Sequence, residues 1–129
     1  GWGIAAAIGV QLAQPDRRVV AIIGDGSAMY SPQALWTAAH LQLPITFVIL
    51  NNRGYRILKE RLIAFHGDER FIGMDFKDPP IDMAALSTAL GTPGKQINEP
   101  DEFIACFSES LKSTGPSLLE VMVEPGPGN

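Results

Sequence analysis

Two uninterrupted apolar runs rich in β-branched residues, RRVVAIIG at 17–24 and ITFVIL at 45–50, constrain this chain more than any other feature. A strand with one wet face alternates apolar and polar residues, whereas a run apolar throughout reads as a strand covered on both faces, the habit of parallel sheets packed between helices. The segments around these runs have helical character. Residues 2–14 predict a helix of small residues with Ala5, Ile8 and Leu12 on one side, closed by Pro15. Ser31 and Pro32 read as a capping hydroxyl followed by a first-turn proline, and ALWTAAHLQL carries that helix to Pro44. GYRILKERLIAFH predicts a helix with Tyr55, Leu58 and Leu62 at helical spacing, and GDERFIGMDFKDPP a polar, turn-rich surface loop. DMAALSTALG predicts a helix ended by Gly91, and KQI at 95–97 a short strand. NEPDEFIACFSESLKSTG predicts a helix capped by Asn98, with Phe103, Ile104, Phe107 and Leu111 on one face, and SLLEVMV at 117–123 a last strand. Strands alternating with helices make the expected fold α/β, a three-layer α/β/α arrangement around a mainly parallel sheet.

The chain's 129 residues suit one domain. With 46% hydrophobic residues and a formal charge of -4, no surplus of positive charge favours nucleic acid or an anionic membrane, so an anionic ligand has to be bound by local design. The apolar opening ends at Gln11, too short to span a bilayer, and lacks the basic leader of a signal peptide. The lone Cys106 excludes an internal disulfide framework, fits a reducing cytoplasm and reads as core packing. A start inside a Gly/Ala helical segment and an EPGPGN ending read as a piece of a longer polypeptide.

In open parallel sheets, ligands bind beyond the carboxyl ends of the strands, and two polar signals stand there. Gly24, Asp25 and Gly26 end the first run; Asn51 and Asn52 end the second. Either alone is an ordinary turn. Together they present a carboxylate, an amide oxygen and glycines that admit a ligand closely, the parts of a phosphate-plus-metal site. A hard divalent ion such as magnesium takes oxygen ligands, some from protein and the rest from phosphate and water. Asp25, the Asn52 side-chain carbonyl and a backbone carbonyl just beyond can supply three, and Ser27 can add a hydroxyl and an N–H to a phosphate oxygen.

Read as GDG, then 24 residues, then NN, with a strand at each end and a helix between, the segment resembles the signature of thiamine diphosphate-dependent enzymes. AAIGVQLAQP before it, SPQALWTAAH within it and NNRGY after it resemble the benzoylformate decarboxylase and acetolactate synthase branch. The similarity spans nearly the whole chain and is weakest from about 64 to 80. It implies that residues 1–129 are one partial domain, the C-terminal thiamine diphosphate-binding domain, with the pyrimidine-binding and middle domains outside this chain. By the resemblance, magnesium lies on Asp25, Asn52 and the Gly54 carbonyl. Cofactor binding falls to Gly24, Asp25, Gly26, Ser27, Ala28, Asn52, Gly54 and Tyr55. Ile57, Leu58 and Arg61 match positions lining a substrate pocket; read as residues alone, they are equally helix packing and a solvated charge.

The resemblance further implies a 2-oxo acid substrate and a homo-oligomer in which the pyrimidine-binding domain of another subunit supplies the cofactor-activating glutamate. This chain would then hold no catalytic residue and be inactive alone. The apolar residue that bends the cofactor would lie before Gly1, as would upstream glycines that meet the diphosphate. His40 and His66 match no catalytic histidine and read as structural or surface groups. Asp68, Glu69, Glu60 and the Asp101-Glu102 pair read as solvated or helix-start charges. The expected function is a magnesium and thiamine diphosphate-binding domain of a benzoylformate decarboxylase-like 2-oxo acid decarboxylase. Two alternatives stay open: the same domain of an acetolactate synthase-type carboligase, and a non-catalytic α/β module that binds a phosphate compound or another protein.

Overall fold

The computed structural model describes residues 1–126. In chain order the elements are α1 (Gly3–Ala13), β1 (Val19–Gly24), α2 (Asp25–Ala28), α3 (Ala34–His40), β2 (Ile45–Asn51), α4 (Arg56–His66), α5 (Met83–Ala89), β3 (Gly94–Ile97), α6 (Pro100–Ser110) and β4 (Ser117–Met122). Every strand pair is parallel, and the sheet order is β1-β2-β4-β3. No helix among the described residues is long and apolar enough to cross a membrane.

One face of the sheet builds the core. Ile23, Ile45, Phe47, Ile49 and Leu118 alternate onto that face and meet Ile4, Ala7 and Ile8 of α1, Leu35 and Ala38 of α3, and Met83 of α5. The opposite face is narrower. There α6 packs on β3 and β4, and the Thr46 hydroxyl of β2 meets the Ser110 hydroxyl at 3.2 Å. The fold is therefore α/β with helices on both sides of a parallel sheet.

The structure departs from expectation in five local respects. Contrary to the reading of RRVVAIIG as covered on both faces, β1 is an edge strand, and Ile22 remains 68% exposed. Ser31 caps nothing, because the 31–36 segment is a tighter turn with Ala34 N donating to Ser31 O at 3.1 Å and Leu35 N to Pro32 O at 3.0 Å. Its hydroxyl instead donates to the Gly1 carbonyl at 3.2 Å. A helical turn, α2, starts at once after β1 with Gly24 as its cap residue. Asn98 likewise does not cap α6, whose cap residue is Glu99. Cys106 is half-buried beside the Lys95 ammonium at 3.2 Å, not in the core.

Candidate functional site

The carboxyl ends of β1 and β2 lie side by side, with Gly24 paired to Leu50 in register. Just beyond them the chain opens a cleft of about 340 Å³, lined by Gly24, Asp25, Gly26, Ser27, Leu50, Asn52, Gly54, Tyr55, Arg56, Ile57, Glu60 and Val123. Two motifs separated by 24 residues in sequence thus face one space.

Asp25 is the charged group at its floor. Only 3% of it is exposed, and its partners are backbone amides: Gly26 N donates to Oδ1 at 2.9 Å and Gly54 N to Oδ2 at 3.2 Å. Burial pushes the carboxyl above its ordinary value, while the N–H groups of Gly26, Gly54 and Arg53 pull the other way. The Gly54 N–H is shared, since it also donates to Asn52 Oδ1 at 3.1 Å. An acid oxygen from the end of one strand and an amide oxygen from the end of the next therefore converge on a single nitrogen.

The turn that brings them together is over-determined. Arg53 adopts a left-handed conformation with φ of 60°, a region that costs a non-glycine residue energy and needs support from its surroundings. Support comes from three directions. Asn51 Oδ1 accepts from Arg53 N at 2.9 Å, while its Nδ2 donates to Glu120 Oε1 at 2.5 Å. Glu120, with 0% exposure on β4, also accepts from Met83 N at 3.2 Å and Ala84 N at 3.1 Å at the start of α5. On the far side, Gly54 forms an antiparallel bridge with Asp75, with Tyr55 N donating to Met74 O and Phe76 N to Arg53 O, both at 2.9 Å. Because that bridge uses the neighbours' groups, Gly54's own N–H is turned away from it and reaches Asp25.

Two glycines are dictated by contact. A Cβ on Gly26 would fall 2.6 Å from the Tyr55 ring, and one on Gly54 would fall 2.6 Å from the Met74 carbonyl. Gly24 differs: a Cβ there would meet nothing within 4 Å, because it faces the open cleft. Tyr55, resting on Gly26, is itself buttressed edge-on by Phe76, ring centroids 4.8 Å apart.

A divalent cation fits this donor set. The oxygens available are a carboxylate, an amide carbonyl and a peptide carbonyl, all hard ligands. Asp25, Asn52 and Gly54 are the residues that would hold it.

Not every expected position reaches the cleft. Gly24, Asp25, Gly26, Ser27, Asn52, Gly54, Tyr55 and Ile57 line it. Ala28 is fully buried in the core beneath. Leu58 is exposed outside the lining, and the Arg61 guanidinium lies over the Phe65 ring at 5.8 Å. His40 stacks on Trp36 at the surface, and His66 ends α4 there. Two lining groups, joined by a 2.8 Å ion pair on the first turns of α4, are Arg56, which sequence reasoning passed over, and Glu60, which it read only as a solvated charge. Glu120, outside the lining, was passed over as well; its signal was available, since an acid inside the apolar run SLLEVMV needs buried partners.

The family described as "Thiamine pyrophosphate enzyme, C-terminal TPP binding domain" matches residues 1–121. Among curated relatives, the acetolactate synthase isozyme 2 large subunit of Escherichia coli is 36% identical over 96% of this chain and 22% of its own length. Benzoylformate decarboxylase of Pseudomonas aeruginosa is 36% identical over 94% of this chain and 22% of its own length. Among solved structures, the thiamine diphosphate-dependent 4-hydroxybenzoylformate decarboxylase of Rhodococcus jostii superposes with a TM-score of 0.89 at 37% identity, over 96% of this chain and 23% of that one. The chain spans about a quarter or less of the length of these relatives.

Proposed function

The chain belongs to the thiamine pyrophosphate enzymes as their C-terminal TPP-binding domain, and from that premise we propose that it forms the magnesium-diphosphate half of the active site of a 2-oxo acid decarboxylase. The observation that carries this reading is the meeting of Asp25 Oδ2 and Asn52 Oδ1 at the Gly54 N–H, beside an open glycine-lined cleft. When bound, the cofactor would supply a nucleophilic carbon and an electron sink for decarboxylation of a 2-oxo acid. The work of this chain is to hold and orient. Asp25, Asn52 and the Gly54 carbonyl take the cation; Ser27 and the Gly26 backbone take diphosphate oxygens, with Ala28 packed in the core beneath them; Gly24 keeps the approach open; Tyr55 walls the site.

Arg56 and Ile57 stand where the first turn of α4 borders the same cleft, so the reacting end of the substrate would pass them. Ile57 is the pocket residue this geometry favours, with Leu58 and Arg61 contributing only if a neighbouring subunit covers them. The cofactor-activating acid would come from a pyrimidine-binding domain of a second subunit, making the working enzyme a homo-oligomer and this chain inactive alone. Equal identity to a carboligase and to a decarboxylase supports a second reading, the same half-site in an acetolactate synthase-type enzyme.

Calorimetric titration of thiamine diphosphate into the intact gene product tests the proposal, with magnesium, without it, and with Asp25→Ala. Binding that requires both the ion and Asp25 is expected. Equally tight binding in all three arms would remove the cation from the mechanism. Product analysis with pyruvate and benzoylformate then separates a carboligase from a decarboxylase.

A further inference from the structure

Lys59 on α4 carries a positive charge with none of its side chain exposed. Its ammonium donates to Asp75 Oδ1 at 2.5 Å and lies 5.1 Å from the centre of the Phe71 ring. Taking an ammonium out of water is costly, so a buried pair of this kind contributes little net stability and is better explained by the arrangement it enforces. Asp75 is also the residue that bridges Gly54. Lys59 follows the site turn by one helical turn, its own N–H donating to the Tyr55 carbonyl at 3.1 Å. The path from Gly54 through the start of α4 to Lys59, across the ion pair to Asp75, and back over the bridge to Gly54 is therefore a closed ring. On the outside of that ring lie Asp25 and Asn52, both reached by the Gly54 N–H.

We propose that the Lys59–Asp75 pair is a positioning device for the cation site. It clamps residues 74–76 against the Arg53–Tyr55 turn, and so sets where the Gly54 carbonyl and the Asn52 amide stand, without touching cofactor or substrate. The inference rests on the magnesium reading above and goes beyond it by assigning metal affinity to two residues outside the cleft lining. Partners that orient metal ligands typically govern affinity by about 10–100-fold.

The test uses the intact gene product with Mn²⁺ as the probe, its binding followed by electron paramagnetic resonance in the presence of thiamine diphosphate. Lys59→Met, Asp75→Asn and the double variant Lys59→Met/Asp75→Leu are compared with wild type, alongside amide hydrogen exchange over residues 52–56. The expected result is a Mn²⁺ Kd raised about 10–100-fold in all three variants, faster exchange in the turn, and cofactor binding restored to the wild-type level at saturating Mn²⁺. A weakened Mn²⁺ affinity in a variant whose metal-free urea midpoint stays near that of wild type is the signature that a merely structural role would not produce, since bound metal also rescues a destabilised fold. The double variant removes the buried ammonium together with its partly exposed partner charge, so it keeps the fold where a single change does not. Folded variants that bind Mn²⁺ within about twofold of wild type would overturn the inference, and failure of all three to fold would recast the pair as a determinant of the fold. Wild-type protein that binds cofactor without any metal would instead sink the magnesium reading itself.

Discussion

Asp25 is held in an uncomfortable state. Its pKa lies above the ordinary 3.8 because burial disfavours the charged form more than the surrounding backbone N–H groups favour it. Between the ordinary and the raised value, the folded protein binds more protons than the unfolded chain, so stability falls as pH rises through that window. Above the raised value the full cost persists, and below the ordinary value it vanishes. Without metal, Asp25→Asn is therefore expected to be more stable than wild type near neutrality, with the gap closing on acidification; urea midpoints at about pH 7 and about pH 4 measure it. Magnesium and thiamine diphosphate should reverse the order, because only the wild-type carboxylate has a charge to offer them. Glu120 predicts the opposite kind of outcome. Glu120→Ala strands the Asn51 amide and two α5 N–H groups, at an expected cost of about 3 kcal/mol. Glu120→Gln, which retains one acceptor oxygen, should lose less, and denaturant unfolding of the two variants side by side gives the comparison.

At the level of elements, the sheet's two faces make unequal demands. Phe47 points from β2 into the packed face with no exposed surface, so Phe47→Ala is expected to cost about 3–5 kcal/mol. Ile22 points from β1 to the thinly covered face, and Ile22→Ser should fall within about 0.5 kcal/mol of wild type in this chain. Urea titration of both variants would expose the asymmetry, and a large loss for Ile22→Ser would mean that something covers β1. This contrast also marks how far the elements were legible in the sequence. The runs ending in Gly24 and Asn51 announced strands, and their polar ends announced where a ligand would go. Apolar content could not say that β1 is an edge, because strand order is decided by partners far along the chain. The return of residues 74–76 to Gly54 was also hidden, since a bridge between main-chain groups leaves no side-chain signature. Ser31-Pro32 misled for a related reason: a Ser-Pro pair also suits a tight turn, and the hydroxyl found a partner at Gly1.

For the whole molecule, the site is a joint property of distant segments, so ligand and fold should be strongly coupled. In the intact gene product, thiamine diphosphate and magnesium at about a hundred times their Kd are expected to add about 2.7 kcal/mol of stability. A chelator should abolish that gain if the cation carries the diphosphate, and thermal melts with and without it report the difference. The sheet order adds a consequence in time. β4 is the last strand in the chain, yet it lies between β2 and β3, and it carries the Glu120 that fastens Asn51. On a ribosome, Asn51 and Arg53 emerge roughly seventy residues before Glu120 can fasten their turn, and synthesis at about 5–20 residues per second makes that a wait of several seconds. A nascent chain would carry both motifs for all that time before there is a Glu120 tie to fix the turn that brings them together.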